Sequence, residues 1–325
     1  MDNFEIILSI LGGLALFLYA VNNLSDTIKA WAGDNAQKWL SRLGKNDFTA
    51  VIVGAIVTTI LDSSSAVIIL TIVLVNSNLL TFRQAIGIVM GANIGTTVSS
   101  QILAMDVGKY SPVPLVIGLL LLVVSKNEKV TNTGKLFLYF GMLFFGLYTM
   151  ERAVEPLKDQ QFFVDWIHGL ENPLRGAITG AFVTLIVQSS SATVGMAITL
   201  AKKGLMTLPA GIAVMLGAEL GTCSDTLLAT IKGNRNALRT GVFHLLFNLT
   251  SIIIGLILFI PFIALVINIS GNANIERQVA NAHMLFNIMG VVMFFLFIPK
   301  IEKLLFRMIP DKAIKVSVPD AEVLS

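Results

Sequence analysis

Gly54-Ala-Ile-Val-Thr-Thr-Ile-Leu-Asp-Ser-Ser-Ser-Ala66 returns later in the chain as Gly180-Ala-Phe-Val-Thr-Leu-Ile-Val-Gln-Ser-Ser-Ser-Ala192. Each copy is followed at the same distance by a second shared segment. It reads Gly91-Ala-Asn-Ile-Gly-Thr-Thr97 in the first copy and Gly217-Ala-Glu-Leu-Gly-Thr-Cys223 in the second. About 18 of about 47 aligned positions are identical, which marks an internal duplication. Three consecutive hydroxyls and one further polar residue interrupt an otherwise apolar stretch. Hydrocarbon tolerates such groups only where they line a cavity or a binding site, because the lipid itself offers them no partner.

Composition says that hydrocarbon is the relevant solvent. Of 325 residues, 55% are hydrophobic and 13% charged, with a mean hydropathy of +0.79, so the class is integral membrane protein. Long apolar runs recur at 6–21, 112–124, 136–150, 242–269 and 284–298. They lack strand-like alternation, which selects helices over a barrel. The net charge of +3 is small and sits in loops; it sets orientation and gives no reason to expect a nucleic-acid partner. The single cysteine, Cys223, excludes an internal disulfide and any multi-cysteine metal or redox centre. Asp2 and Glu5 precede the first apolar run with no basic residue among them, so that run reads as a transmembrane helix and not as a cleaved signal peptide.

The expected fold is an all-α polytopic membrane protein: two inverted-topology repeats with re-entrant helical hairpins and discontinuous transmembrane helices. Residues 1–130 form the first repeat. It comprises a transmembrane helix, an interfacial helix over Asn22–Asp47 anchored by Trp31 and Trp39, a hairpin, a broken helix and a further helix. The hairpin consists of Phe48–Leu61 and Ala66–Val75 interrupted by Asp62–Ser65, each half about 10–14 residues long and too short to span alone. Ala85–Met90 and Thr97–Ala104 flank a break at Gly91. Residues 131–270 repeat this order with a helix Lys135–Met150, a mixed stretch Glu151–Pro173, a hairpin broken at Gln188 and a helix broken at Gly217. Helices near Thr240–Pro261 and Gln278–Ile298 close the fold. The final transmembrane segment falls in 271–300, and 301–325 is a basic cytoplasmic tail.

Charge counting orients this arrangement. Hairpins are taken to return to the side they entered, and every other apolar element to cross once. With the N-terminus outside and the C-terminus in the cytoplasm, about 16 of the 23 basic residues fall inside. They include Lys29, Lys38, Arg42, Lys45, Arg83, Lys126, Lys232, Arg239, Lys300, Lys312 and Lys315, while the acidic stretch Glu151–Glu171 falls outside. An odd number of crossings then separates the copies, which inverts one relative to the other. That architecture is typical of secondary transporters, whose sites form at the midplane from broken helices.

A broken helix presents backbone N–H groups with partial positive charge where its second half begins. Ser63, Ser64 and Ser65 occupy that place in the first copy, and Ser189, Ser190 and Ser191 in the second. Serine caps helix N-termini well, and its hydroxyl both donates and accepts. Two such termini meeting at the midplane suit the oxygens of an anion, and the same hydroxyls with unwound carbonyls suit sodium. Taken singly, a serine triplet is equally explained by close helix packing; its doubling beside two breaks is what points to a site. Asn93, Thr96, Thr97 and Thr222, with Gln188, join the substrate-binding candidates, although the Gly-x-x-x-Gly spacing around them is also a helix-packing pattern. Asp62, Glu219 and Asp225 are carboxylates in apolar elements, with Ser64 and Ser190 as companions for sodium or another coupling ion; protonated, hydrogen-bonded acids are the structural alternative. Arg239 and two His-x-x-Phe-Asn segments, His244–Asn248 and His283–Asn287, place His and Asn on one helix face; they read chiefly as hydrogen-bonding ties between the last helices and the core, with lining of the transport pathway as the alternative. No catalytic residues are expected. No metal-ligand cluster, phosphate-cradling loop or Gly-x-Ser-x-Gly elbow is present, which argues against an intramembrane hydrolase built on Ser190 and His244.

These residues resemble the type II sodium–phosphate cotransporter family, in which a Gln-Ser-Ser-Ser motif occurs in each inverted repeat and a Gly-Ala-Asn-Ile-Gly-Thr-Thr-like segment follows. Gln188–Ser191, Ser63–Ser65 and Gly91–Thr97 match outright, and the likeness runs from the first helix to about Asn287. It implies that these positions bind phosphate and sodium, and that the chain is a short bacterial form without the C-terminal regulatory domain. Two positions depart: Asp62 stands where the family has Gln, and Glu219 where Asn is usual. Extra negative charge beside an anion site weakens anion binding unless a cation sits next to it.

The expected function is sodium-coupled symport of inorganic phosphate by alternating access, in a multi-pass bacterial plasma-membrane protein that is not an enzyme and has no cofactor beyond sodium as coupling ion. Phosphate, sodium and membrane lipid are the expected partners, and homo-oligomerisation is open. The competing readings are a carrier of another small anion, a phosphate exporter, and a transport-inactive regulatory or scaffolding protein whose site was lost through Asp62 and Glu219.

Overall fold

Helix caps set the frame of the computed structural model, which describes residues 3–43, 46–105, 107–125 and 127–311. The elements are α1 Asn3–Leu43, α2 Asp47–Leu61, α3 Ser64–Asn76, α4 Phe82–Leu103, α5 Pro112–Val124, α6 Glu128–Ala153, α7 Gln161–Gly169 and α8 Pro173–Val187. They continue with α9 Ser190–Lys202, α10 Leu208–Gly221, α11 Cys223–Leu228, α12 Arg235–Ile257, α13 Phe259–Ser270, α14 Ile275–Phe295 and α15 Ile298–Met308. Among the described residues there is no strand. Residues Phe4–Ala30 of α1, and α4, α12 and α14, are long and apolar enough to cross a membrane. Outward-facing Phe4, Val123, Val124, Phe182 and Ile186 are all more than half exposed, which suits a hydrocarbon surround and not water. This is a helical membrane protein.

The duplication is carried into three dimensions residue for residue. Every boundary of α2, α3 and the start of α4 has its counterpart 126 positions on, as Asp47 and Pro173, Ser64 and Ser190, and Phe82 and Leu208 show. The caps match as well. Asn46 and Asn172, Ser63 and Ser189, and Thr81 and Thr207 each accept a backbone N–H of the turn they open. Glycines let α2 lie against α4, and α8 against α10, almost backbone to backbone. A side-chain carbon placed on Gly91 would sit 2.0 Å from the Val51 carbonyl oxygen, and one on Gly217 only 1.8 Å from that of Ala177. The reciprocal pair behaves alike: Gly54 approaches the Ile88 carbonyl and Gly180 that of Val214, at 2.3 and 2.0 Å. One apolar core lies between α2, α3, α4 and α12, a second among α9, α10, α13 and α14, and a third joins α1 to α6.

The structure corrects several expected boundaries. The helix expected to break at Gly91 is continuous across 82–103, because Asn93, Thr96 and Thr97 bond back to the carbonyls of Val89, Ala92 and Ile94 and leave no polar group needing an unwound turn. In the second copy the interruption lies at Thr222, five residues beyond Gly217, between α10 and α11. Asn22–Asp47 holds no separate interfacial helix. No proline interrupts it, and Asn23 and Thr27 bond to the Tyr19 and Asn23 carbonyls, so α1 runs on to Leu43. The apolar run 242–269 divides at Leu258, three residues before Pro261, whose missing N–H cannot bond the Ile257 carbonyl. The expected tail begins with the amphipathic helix α15, which buries Ile298 and Leu305. Lys45, Lys126, Lys312 and Lys315, the tail beyond 311, and the side chains of Trp31 and Arg42 lie outside the described residues.

Gly217→Ala should lower stability by about 1–3 kcal/mol through forced separation of α8 and α10. Gly12→Ala, whose added carbon meets nothing within 4 Å, should not destabilise. Thermal unfolding in detergent measures both.

Candidate functional site

Both serine motifs sit at a reversal of backbone hand. Asp62 ends α2 at φ 50° and ψ 33°, and Gln188 ends α8 at φ 58° and ψ 27°. Left-handed backbone is costly for residues other than glycine, and such strain concentrates where function requires it. The next residue in each copy, Ser63 or Ser189, returns to extended backbone, and its Oγ accepts from the N–H of Ala66 or Ala192 at 3.2 Å. The N–H groups of Ser64, Ser65, Ser190 and Ser191 then open the helices α3 and α9. By helix geometry they have no partner inside those helices, so they need one outside.

One cavity of about 290 Å³ collects both breaks. Asp62, Ser63, Ser64 and Ser65 form one part of its wall, and Gln188, Ser189, Ser190 and Ser191 another, with Thr222 beside them. Serine hydroxyls, two helix N-termini and a carboxylate thus converge on a polar space. That is the donor set an oxyanion needs, with an acid beside it able to hold a cation. The acid is held in turn: the Ser99 hydroxyl on α4 donates to Asp62 Oδ1. The equivalent positions in the second copy are Gln188 and Asp225, so acid and neutral partner are exchanged between repeats. Asp62, Ser191 and Val21 also line a second, apolar cavity of about 410 Å³ between α1, α4 and α6.

Not every expected site residue lines the polar cavity. Asn93, Thr96 and Thr97 are buried within α4, their side chains committed to its own carbonyls. Asp225 accepts from the adjacent Ser224 hydroxyl at 3.3 Å and does not line the cavity. Glu219, 2% exposed, faces the last helices: His283 Nε2 lies 2.6 Å from its Oε1, and His283 Nδ1 lies 2.7 Å from Ser100 Oγ. A carboxylate accepts from Nε2–H, which leaves Nδ1 to accept from the Ser100 hydroxyl. His283 therefore ties α10 of one repeat to α4 of the other. Its counterpart His244 lies 2.8 Å from Thr226 Oγ1 and accepts from Asn248, within the second repeat and α12. Ser100 and Thr226 are themselves equivalent positions, so the two hydroxyl–imidazole bonds repeat like the motifs. Arg239, fully buried, donates to the Ile309 carbonyl and to Asp311 and stacks 3.8 Å from the Phe306 ring centre, fixing the end of α15 to α12.

Asn22, Ser25, Asp26 and Lys29 of α1 also line the cavity and were not among the sequence candidates. Their i, i+3, i+4, i+7 spacing, a polar stripe closing an apolar run, is the signal that marks them. Ser25 Oγ donates to the Leu61 carbonyl at 3.0 Å, one of the carbonyls that the break in α2 leaves without a helical partner.

Fold and site together define a polytopic helical membrane protein with a duplicated polar break around an internal cavity. The sequence profile of the Na+/Pi-cotransporter family matches residues 16–152 and 160–298, and the chain belongs to that family. It is 25% identical to "Uncharacterized protein YqeW" of Bacillus subtilis over 94% of this chain and 99% of that protein. It is 26% identical to "Putative inorganic phosphate export protein YjbB" of Escherichia coli O157:H7 over 87% of this chain and 52% of that one, so the chain spans about half the length of that relative. Human "Sodium-dependent phosphate transport protein 2B" is 36% identical over 31% of this chain and 15% of its own length. No solved structure matches the chain.

Removing one side of the buried Glu219–His283 pair strands the other. His283→Leu should cost about 3–5 kcal/mol, and the double change Glu219→Met with His283→Leu should cost less than the single one. Denaturation of the purified protein in detergent compares them.

Proposed function

We propose that this chain is a secondary active transporter that moves inorganic phosphate together with sodium by alternating access. The observation that carries the reading is the convergence of Asp62–Ser65 and Gln188–Ser191 on a single polar cavity in a member of the Na+/Pi-cotransporter family. In this reading residues 1–130 and 131–270 are inverted repeats, and α2–α3 and α8–α9 are re-entrant hairpins whose breaks meet near the midplane of the plasma membrane. The N-terminus faces outward and the C-terminus the cytoplasm. Phosphate oxygens accept from the hydroxyls and the first-turn N–H groups of Ser63–Ser65 and Ser189–Ser191, with the Gln188 amide and Thr222 beside them.

A sodium ion at Asp62, with Ser64 and Ser190, offsets the carboxylate and adds positive charge next to the anion. Because Glu219 and Asp225 lie away from the cavity, the cation site we propose rests on Asp62. Each ligand makes the other's binding more favourable, so the doubly loaded state is the one that rocks between the two faces. A phosphate-export direction is the second reading, favoured by the names of the Escherichia coli relatives; the same cavity serves transport in either sense.

Proteoliposomes carrying radiolabelled phosphate, with sodium, lithium and proton gradients imposed separately, test the reading. Sodium-dependent phosphate flux is the expected result, and no flux under any gradient would refute it. Ser64→Ala and Ser190→Ala should each lower phosphate affinity by about tenfold or more, the cost of one charge-assisted hydrogen bond. Asp62→Asn should raise the sodium concentration needed for half-maximal flux; an unchanged sodium dependence would remove Asp62 from the cation site.

A further inference from the structure

The cavity has a third wall that the duplicated motifs do not supply, and that wall carries its only basic side chain among the described residues. Lys29 lines the space together with Ser25 and Asp26 on α1, opposite Asp62 and the six serines of the two breaks. We propose that Lys29 is the resident countercharge of the anion site, lowering the sodium requirement for oxyanion binding; this rests on the reading of the cavity given above.

Charge balance is the first argument. Asp26 and Asp62 both line the cavity, so without Lys29 its titratable side chains would all be acids, an arrangement that disfavours a doubly charged oxyanion. Asp62 stands where the motif's second copy has neutral Gln188, so the breaks hold one more acid than two Gln-Ser-Ser-Ser copies would give. Lys29 offsets one of the two acids without a bound ion, and a cation is left to offset the other.

Position is the second argument. Ser25 Oγ donates to the Leu61 carbonyl at 3.0 Å, pinning α1 to the residue immediately before Asp62. Lys29 is one turn on from Ser25 and on the same helix face, so its placement is set relative to the first break and does not depend on loop motion. Its ion pair with Asp26, at 3.4 Å, leaves the lysine side chain 37% exposed and the aspartate 76% exposed. An exposed i, i+3 pair of this kind is weak, so it leaves the ammonium free to turn to a stronger anion. Lysine's compact charge and flexible stem suit that exchange of partners.

The test uses the purified full-length protein in detergent, with affinity for inorganic phosphate read from thermal stabilisation with and without sodium. Lys29→Gln is expected to weaken phosphate binding by about tenfold in sodium-free buffer, with the loss shrinking as sodium approaches saturation. Lys29→Arg, which keeps the charge, is expected to retain most of the affinity. Equal phosphate affinity of Lys29→Gln and wild type in sodium-free buffer would overturn the assignment, as would a loss that Lys29→Arg shares in full. If phosphate fails to stabilise even the wild-type protein, the phosphate reading falls. Sulfate, a doubly charged tetrahedral anion, then decides the role of Lys29 on the same three proteins: weaker sulfate binding by Lys29→Gln alone supports it, and equal or absent binding overturns it.

Discussion

A helix that stops in an apolar interior leaves backbone carbonyls and N–H groups without partners, and the rest of this protein is arranged around that constraint. The chain stops twice in the same way, at Asp62 and Gln188, where left-handed backbone ends one helix and a serine caps the next. Each break creates donors that point into a common space. The serine at the break satisfies one donor and an α1 serine satisfies a carbonyl, and the remaining first-turn N–H groups have no partner within their own helices.

Holding such breaks in place requires stiffness behind them. Glycines at 54, 91, 180 and 217 remove the side chains that would keep α2 from α4 and α8 from α10, so dispersion between backbones substitutes for the solvent-driven packing that a bilayer does not provide. Behind α4 and α10, α12 and α14 each supply a histidine bonded to equivalent hydroxyls, Thr226 and Ser100. Only His283 also reaches Glu219 and joins the halves. The acid that departs from the family pattern in the second copy is therefore consumed by a structural tie, whereas the departing acid of the first copy, Asp62, stands in the cavity wall. Identical-looking departures have different consequences because their neighbours differ.

The third wall belongs to neither motif. α1 continues unbroken past the apolar run, and its last polar turns bring Asn22, Ser25, Asp26 and Lys29 to the breaks. A site built from two equivalent halves is thus made unequal by a single helix and by the exchange of acid and neutral residues between Asp62 with Ser99 and Gln188 with Asp225.

Much was legible in the residues alone: the membrane class from low charge, the duplication from the repeated serine segments, the helix breaks at Asp62 and Gln188, and the family. These follow from local chemistry and composition, which a linear chain displays directly. The chain order did not reveal that Asn93, Thr96 and Thr97 spend their hydrogen bonds on their own helix, that Gly91 serves close approach instead of unwinding, or that Lys29 joins the cavity. Polar groups inside a helix look the same in sequence whether they face a ligand, a neighbouring helix or their own carbonyls. Only the packing of α1, α4 and α10 around the two breaks decides among these, because a side chain's partner is fixed by which elements come within hydrogen-bond reach.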